Sequence, residues 1–576
     1  MATRRLIHSV RGYSKTACRA IKLTGMAQPM ATGHSTGPMY NTQRCGPRHN
    51  KSASKSNTEM PIKCLSTAAA NQQQDRTLEE LVFDPKGELR SNNSNADRDN
   101  AEFERAINQL NSLQSNEATL LHSVNNPKKN PKLDTLKYLE RSGLTMDTLQ
   151  KLSFIHVSGS KGKGSTCALT ESLLRHHGAH TGFYTSPHLV ATNERIRVDG
   201  QPMSKGKFAR TFWKVFNRLK ESQGAEEDMP AYFKFVTILA FHVFVEERVD
   251  VALLEVGIGG EYDCTNVVPN VGTVGIVSLG LEHTDLLGTT LGEIAWQKAG
   301  IIKPGSHVFT NVDQTECLEV ICQRAQEKKA VVHVVPPTRE YFRSEIGAKL
   351  WDSCNEIIHL NGSLAIQLAS DWLRRTTGPL HHDYDLDAVR LEPKMLLGLQ
   401  NTHWPGRCQM VEYKGLRLHL DGAHTVESMT VCTQWFAKNI KNNSCPKILI
   451  FNRTRGTEYR PLLTLLVRCC DFDMVCFTPN VAFPETTVPS QLMVRISMKN
   501  QLIRAKDFAT QWTEVCEREN KPDRGQVFDS VTEVFNAIRG RYDRHSGQQL
   551  EVLVTGSIHL LGATISALGF MEESRT

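Results

Sequence analysis

Short apolar runs broken by polar turns set the rhythm of the middle of this chain. Val249-Asp250-Val251-Ala252-Leu253-Leu254-Glu255-Val256 is mostly apolar and short, which predicts a central parallel strand buried on both faces. Val271 to Leu279 repeats the pattern, and Ile155-His156-Val157 is a further β-type run with a helix-like segment, 167–174, close behind it. From Phe154 to about Ile302, strand, turn and helix alternate. Such alternation predicts an α/β fold with a doubly wound parallel sheet and ligands at the carboxyl ends of its strands. Glu255 falls near one such end, before a glycine-rich turn.

The flanks read differently. Phe103, Ile107, Leu110 and Leu113 recur at helical spacing and predict a helix from about Ala101 to Leu113. Residues 59–100 are polar and rich in Asn, Gln and Ser, the composition of a linker. Residues 376–395, with Pro379, His381-His382 and several Asp, read as a surface insertion, followed by a domain linker near 396–407. Beyond it, Leu416–Asp421, Lys447–Asn452 and Leu550–Gly556 look like strands that end in loops. They predict a second, smaller α/β domain of Rossmann-like topology. The expected division is a basic tail over 1–58, the linker, a larger domain over 101–400 and the smaller one over 401–576.

Composition narrows the class. Hydrophobic residues make up 40% and charged residues 22% of the 576, as in ordinary soluble proteins. No apolar run approaches the roughly 20 residues that span a bilayer, so no stable membrane insertion is expected. The fifteen cysteines are scattered without a CxxC pair, which speaks for reduced thiols rather than a zinc site. The adjacent Cys469-Cys470 pair sits in an apolar run and is expected in the core. Net charge is +7, yet residues 1–58 hold ten Lys/Arg and no acid, so removing them leaves −3. The basic balance therefore belongs to the N-terminus and indicates no nucleic-acid partner. An Arg-rich, Ser-rich, acid-free start predicts a mitochondrial transit peptide, with a disordered basic tail as the plain alternative. Met26, Met30, Met39 and Met60 could each begin a shorter cytoplasmic form.

The sharpest chemical signal is Ile155-His156-Val157-Ser158-Gly159-Ser160-Lys161-Gly162-Lys163-Gly164-Ser165-Thr166. A strand, a glycine-rich turn and a helix in that order place backbone N–H groups and a helix N-terminus around an anion, with Lys163 as a fixed positive charge. A nucleoside triphosphate is the usual ligand. The fit to the common phosphate loop is partial: Val157 stands five residues before Gly162 where that pattern has Gly, and Gly164 separates Lys163 from Ser165.

That G-x-x-G-K-G-[ST] form resembles the nucleotide loop of the Mur ligase superfamily and, within it, of the folylpolyglutamate synthases. Further motifs follow in the order of that family: Thr185-Ser186-Pro187-His188-Leu189, Asn193-Glu194-Arg195-Ile196, Glu255-Val256-Gly257-Ile258-Gly259-Gly260 with Asp263-Cys264-Thr265-Asn266, Glu282-His283-Thr284 (with Glu for the family's Asp), Ala295-Trp296-Gln297-Lys298-Ala299-Gly300-Ile301, Trp404-Pro405-Gly406-Arg407, Leu420-Asp421-Gly422-Ala423-His424 and Thr555-Gly556-Ser557-Ile558-His559-Leu560. The resemblance covers roughly residues 100–570 and is nearest to the animal members.

The resemblance implies ATP-dependent amide formation through an acyl phosphate, with a reduced folate and L-glutamate as substrates. It implies phosphate contacts from Lys163 with Gly162, Gly164 and Ser165, and further ATP contacts from Asn361 on the adenine side, Arg407 and Asp421. His424 would contact phosphate or orient substrate. Ser186, Glu255 and His283 would hold two Mg²⁺ ions, hard cations that suit oxygen donors, with room for a monovalent cation such as K⁺. Lys298 would be carbamylated, which turns a cation beside the metal into an anion; read on its own it is a surface helix lysine. Arg195 would contact folate and Ser557 the incoming glutamate. The helix near 101–113 would lie toward the folate end. A monomer is expected, in the mitochondrion (matrix or inner-membrane associated) and in the cytoplasm. Two departures stand out: Ile357-Ile358 where the family carries His-Gln, and Arg455-Gly456-Thr457-Glu458 where it tends to Gly-x-Arg-Asp. The alternatives are a dihydrofolate synthase, which shares every motif, and an ATP-binding protein with a dead site.

Overall fold

The computed structural model describes residues 94–113, 131–224, 228–343, 345–377, 384–440, 444–454, 459–483, 498–542 and 549–573. Its apolar runs form two sheets. The first contains β1 (Ser153–Ser158), β2 (Thr181–Tyr184), β3 (Ile196–Val198), β4 (Gln201–Pro202), β5 (Val251–Glu255), β6 (Val271–Ile276), β7 (His307–Thr310) and β8 (Val331–Val334), in the order β4-β3-β2-β5-β1-β6-β7-β8. All its pairings are parallel except those of the short edge strands β3 and β4. Among the helices packed around it are α1 (Ser94–Ser112), α2 (Lys163–His176), α3 (Lys205–Glu221), α4 (Tyr232–Glu247), α5 (Leu291–Ala299), α6 (Glu356–Thr377) and α7 (Pro393–Gln400).

The period-2 geometry of a strand explains why β5 is apolar as far as Glu255. Val251 and Leu253 enter a core shared with α2, α6 and α7, while Ala252 and Leu254 enter a separate core shared with α1, α3 and α4. Neither face meets water, so every position of β5 is buried. In α1, Phe103, Ile107 and Leu110 are fully buried, and Phe103 meets Phe208 of α3 edge-on with centroids 5.3 Å apart. The helix begins at Ser94, so residues 94–100 are not linker, as the polar sequence suggested. Residues 97–100 are exposed, and Asp97 lies in the first turn, where an acid suits the positive end of the helix dipole. Residues 1–93 lie outside the described residues, and with them the transit-peptide and linker readings.

The second sheet contains β9 (Gln409–Tyr413), β10 (Leu416–Asp421), β11 (Lys447–Phe451), β12 (Met474–Phe477), β13 (Gly525–Val527) and β14 (Leu550–Thr555), in the order β13-β12-β11-β14-β10-β9, parallel but for β9. Its two faces again feed separate cores. Leu418, Leu420, Val552 and Val554 pack with α9 (Ile558–Glu573), after Leu449, Phe451 and Leu553 have turned the other way toward α8 (Met498–Glu519). Cys469 and Cys470 are half-buried against the latter core rather than inside it.

The two halves meet through short segments. α7 packs on α2, where Ser172 Oγ donates to Gly398 O at 2.7 Å, and β9 begins nine residues beyond the end of α7. Leu189, from the loop after β2, is buried in the core of the second sheet. The stretch read as a surface insertion is only partly one: its residues 378–383 lie outside the described residues, whereas Val389 and Met395 are buried. Tyr384 packs its ring on Phe309 and His333. Among the described residues no helix is long and apolar enough to cross a membrane.

Two buried histidines give the fold a pH signature. Burial, with Arg218 and Lys214 nearby, lowers His242 to about 4; its Nε2 pairs with Ser142 Oγ at 2.9 Å. Burial, with His307, lowers His333 to about 4. In an unfolded chain both titrate near ~6.5. Between the two values the unfolded state binds more protons, so this stability is complete above ~6.5 and is lost as pH falls toward 4. The melting temperature is expected to drop when pH is lowered from 7 to 5. Calorimetry in matched ionic strength checks this, and a flat or rising melting temperature over that interval would contradict it.

Candidate active site

The turn between β1 and α2 is built so that only glycine fits at its critical points. Gly162 caps α2 with φ +93°, a left-handed conformation, and a Cβ there would lie 2.3 Å from Asn361 Oδ1. Asn361 therefore packs against the loop itself: its Nδ2 donates to Ile357 O at 3.1 Å and its Oδ1 accepts from Thr166 Oγ1 at 3.4 Å. A Cβ at Gly164 would lie 3.0 Å from the Trp404 ring and 3.2 Å from Glu255 Oε2. That crowding accounts for the extra glycine after Lys163. Lys163 Nζ donates to Gly159 O at 2.8 Å and Ser160 O at 3.3 Å, and Ser165 is buried in the first turn of α2. The first N–H groups of α2 have no partner within the helix and face this turn, as in anion sites at helix N-termini.

Glu255 ends β5, beside the loop. It is buried and accepts from Ser186 N at 3.1 Å and from Thr185 Oγ1. Burial pushes its carboxyl upward, opposed by Lys163, the two hydrogen bonds and Arg407. Glu255 and Ser186 are thus brought together, next to a cis Ser186-Pro187 peptide. His283 is not part of that pair. It stands exposed at the head of the short helix Thr284–Leu287 with φ +49°. Among the described residues no three His, Cys, Asp or Glu side chains converge as a metal-binding set.

Lys298 is 1% exposed, which overturns the reading of a surface helix lysine. It lies on α5 with Nζ donating to Glu282 Oε1 at 2.9 Å and to Gly159 O at 2.8 Å. Burial, with Lys163, lowers its pKa to about 8. Burial would raise Glu282, but Lys298, Lys163 and Lys161 outweigh it and hold the acid down to about 2. A lysine with this pKa keeps a sizeable neutral fraction near neutral pH, the state in which an amine is a nucleophile.

The second sheet contributes from its own carboxyl edge. His424, in the loop after β10, has Nδ1 at 2.9 Å from Gly422 O and Nε2 at 3.1 Å from Lys161 Nζ. A carbonyl can only accept, so Nδ1 carries the proton and Nε2 accepts from the ammonium of Lys161. Burial and Lys161 lower His424 to about 4, in keeping with that neutral form. Lys161 also faces Glu282 Oε2 at 3.6 Å, so the loop lysine links both halves of the protein. Asp421 accepts from Cys408 N at 2.8 Å and Ala423 N at 2.9 Å; burial raises it, and Arg407 opposes this. Arg407 lies over the same turn, its Nη1 2.4 Å from where a Cβ on Gly422 would be. Ser557 is buried after β14 and its Oγ lies 2.7 Å from Thr454 Oγ1. Arg195 accepts from Thr185 N at 3.0 Å through its backbone oxygen, and its buried side chain donates Nε–H to His188 Nδ1 at 3.0 Å and lies over the Tyr232 ring.

Sequence reading assigned no role to Lys161, Thr185 or Trp404. Each stands inside or beside a quoted motif, so proximity in sequence was the one signal available. The result is an excess of positive charge where the carboxyl edges of both sheets meet: Lys161, Lys163, Lys298 and Arg407 act among themselves and on Glu255, Glu282 and Asp421, and Arg453 bears on His424. Such a basin suits a polyanion. Fold and loop together define the class, an α/β protein of two sheets built around a phosphate-binding loop.

Comparison with known proteins narrows this class to a family. The chain is 39% identical over 447 residues to the mitochondrial folylpolyglutamate synthase of Bos taurus, which covers 73% of this chain and 76% of that protein. It is 36% identical over 486 residues to a putative folylpolyglutamate synthase of Caenorhabditis elegans, covering 81% and 92%. In fold it resembles the Mycobacterium tuberculosis folylpolyglutamate synthase complexed with ADP, with a TM-score of 0.61 and 20% identity over 82% of this chain and 99% of that one. No protein-family model matches the chain. The chain belongs to the folylpolyglutamate synthase family, whose members are ATP-dependent ligases.

Proposed function

We propose that this protein binds ATP and adds L-glutamate to the γ-carboxylate of a reduced folate's glutamate tail, through an acyl phosphate and with release of ADP. The observation that carries this reading is the cationic basin shared by the two sheets, with Lys161 and His424 in contact across it. A carboxylate is a poor electrophile, so it must first take the γ-phosphoryl group. The amine of glutamate then forms the C–N bond as the C–O bond to phosphate breaks. Lys163 and the N–H groups of Gly162, Gly164 and Ser165 hold the triphosphate, with Arg407, Asp421 and Asn361 as further ATP contacts. Together they work by charge neutralisation and positioning rather than covalent catalysis. His424, neutral and held by Lys161, orients the reacting groups. The larger domain over 101–400 would bind nucleotide and the smaller one over 401–576 glutamate, through Ser557. Arg195 would support the folate end through His188 and its buried loop.

Ser186 and Glu255 fit Mg²⁺ by donor type: a buried carboxylate beside the phosphate loop, held by the backbone N–H of a serine whose hydroxyl is a hard oxygen donor. His283 is proposed as a third ligand, for two ions in all, on the family resemblance alone, as is a K⁺ site. Bound there, the metal would neutralise triphosphate charge. Lys298 is proposed to react as its neutral amine with CO₂, losing a proton to give a carbamate. The chain is proposed to act as a monomer. Dihydropteroate separates the neighbouring readings: a folate lengthened by glutamate with no product from dihydropteroate is expected. Efficient use of dihydropteroate alone would make the protein a dihydrofolate synthase.

The acid-free first 58 residues and the mitochondrial relatives in Bos taurus and Homo sapiens support import into mitochondria, beside a cytoplasmic form from an internal Met. A reporter fused to residues 1–60 should enter mitochondria, and a wholly cytosolic signal would contradict this.

A further inference from the structure

The two faces of β1 serve different neighbours. Ile155 and Val157 enter the core shared with α2, so the alternation of a strand sends His156 and Ser158 the other way. Ser158 Oγ donates to Lys298 O at 2.9 Å. His156 is fully buried, with Nε2 2.8 Å from Thr265 Oγ1. Thr265 donates its hydroxyl at 2.6 Å and its N–H at 2.9 Å to Asp263 Oδ1. The other oxygen of Asp263 accepts from Gly257 N and Ile258 N, both at 3.1 Å. Gly257 and Ile258 open the turn directly beyond Glu255 and Val256, and Val256 N is itself held by Val157 O of β1 at 3.0 Å. The far side of the turn is tied to the segment that carries Lys298. Glu261 N donates to Gln297 O at 2.8 Å, and Asn266 Nδ2 donates to Glu261 O at 3.1 Å and to Gly300 O at 3.0 Å.

The direction of these bonds is fixed. Burial raises the Asp263 carboxyl, and four hydrogen bonds oppose this. With four donors on its two oxygens Asp263 has no proton to give, so the Thr265 hydroxyl donates to it and must accept from His156 Nε2–H. His156 Nδ1 is then bare, and it has no hydrogen-bond partner. The opposite tautomer would leave Nε2 facing a hydroxyl whose one proton already serves Asp263. We propose that His156 and Thr265 are positioning residues for the ligase reaction: through Asp263 they fix the turn at Gly257 and Ile258, and so hold the Glu255 carboxylate and the Lys298 segment in register with the phosphate loop that β1 carries. This inference rests on the ligase reading above and goes beyond it.

Glu255 is proposed above as a Mg²⁺ ligand, so the first readout is the gain in affinity that Mg²⁺ gives a non-hydrolysable ATP analogue, measured by calorimetric titration. Thr265→Val keeps the shape and removes the hydroxyl. It should shrink that gain about tenfold or more and lower kcat by a similar factor, the scale of losing a group that orients a metal ligand, while the KM for L-glutamate stays within about twofold. Thr265→Ser should restore most of both. His156→Gln, long enough to offer Thr265 an N–H, should outperform His156→Asn, which is one methylene shorter. A purely structural role would lower the melting temperature of Thr265→Val and leave the Mg²⁺ gain and kcat of the folded protein unchanged, which would overturn the proposal. Equal losses in Thr265→Ser and Thr265→Val would overturn it too. If Thr265→Val does not fold, His156→Gln and His156→Asn carry the same comparison. If the wild-type protein forms no amide product, the ligase reading fails and the titration alone decides. A smaller Mg²⁺ gain in the variant then upholds the positioning role, and an equal gain, or none in either protein, overturns it.

Discussion

Glu255→Gln is expected to fold normally and to lose at least about a hundredfold in turnover, the scale of removing one preorganised charge from a transition state. The substitution keeps shape. A glutamine oxygen can still accept from Ser186 N and Thr185 Oγ1, the two groups that now hold the carboxylate. What disappears is a negative charge that sits in full burial beside Gly164 of the phosphate loop and within reach of Lys163 and Arg407. Because burial already disfavours that charge, the neutral variant should melt no lower than wild type. Melting temperature and kcat, measured on the same preparation at ordinary Mg²⁺, check both halves. Wild-type turnover would show that Glu255 serves structure alone.

Lys298→Ala should be nearly inactive and also less stable. Lys298 and Glu282 form a buried pair at 2.9 Å, and removing one member of such a pair typically costs about 3 kcal/mol or more. Lys161, 3.6 Å from the other carboxylate oxygen of Glu282, offsets part of that cost. The cavity left behind distinguishes two working forms of the lysine. If it acts as a carbamate, a small carboxylic acid such as formate or acetate should restore part of the activity. If it acts as a plain ammonium, methylamine should do so and the acids should not. Full activity in the unsupplemented variant would remove Lys298 from the mechanism.

These expectations show where sequence speaks and where it stops. β5, β6 and β11 were legible because parallel strands buried on both faces need continuous apolar runs, and β10 and β14 from their Leu and Val positions, although Arg417, His419 and Glu551 are buried among them. β3 and β4 were not, since residues 196–202 form a short edge hairpin with Arg197 and Gln201 among them and need no such run. The start of α1 was masked by Asn- and Ser-rich composition, although residues 97–100 are simply its exposed polar turn. Motifs located the phosphate loop, Glu255, Ser186, Lys298 and His424, but said nothing of burial. Nothing in the neighbourhood of Lys298 distinguishes a surface lysine from one that is 1% exposed. The Lys161–His424 contact joins positions 263 residues apart and depends on how the two halves pack. Arg504 lies outside every motif and reaches the Thr454 carbonyl from a helix, a contact that no side-chain pattern encodes.

The central claim is the ligation itself, and one measurement bears on it most directly. Purified protein is incubated with ATP, Mg²⁺, tetrahydrofolate and radiolabelled L-glutamate, and both nucleotide and folate products are separated. The account predicts ADP and phosphate in step with folates that lengthen by successive glutamates, because each product again ends in a γ-carboxylate. Release of AMP and pyrophosphate, or bound ATP with no lengthened folate, would contradict it.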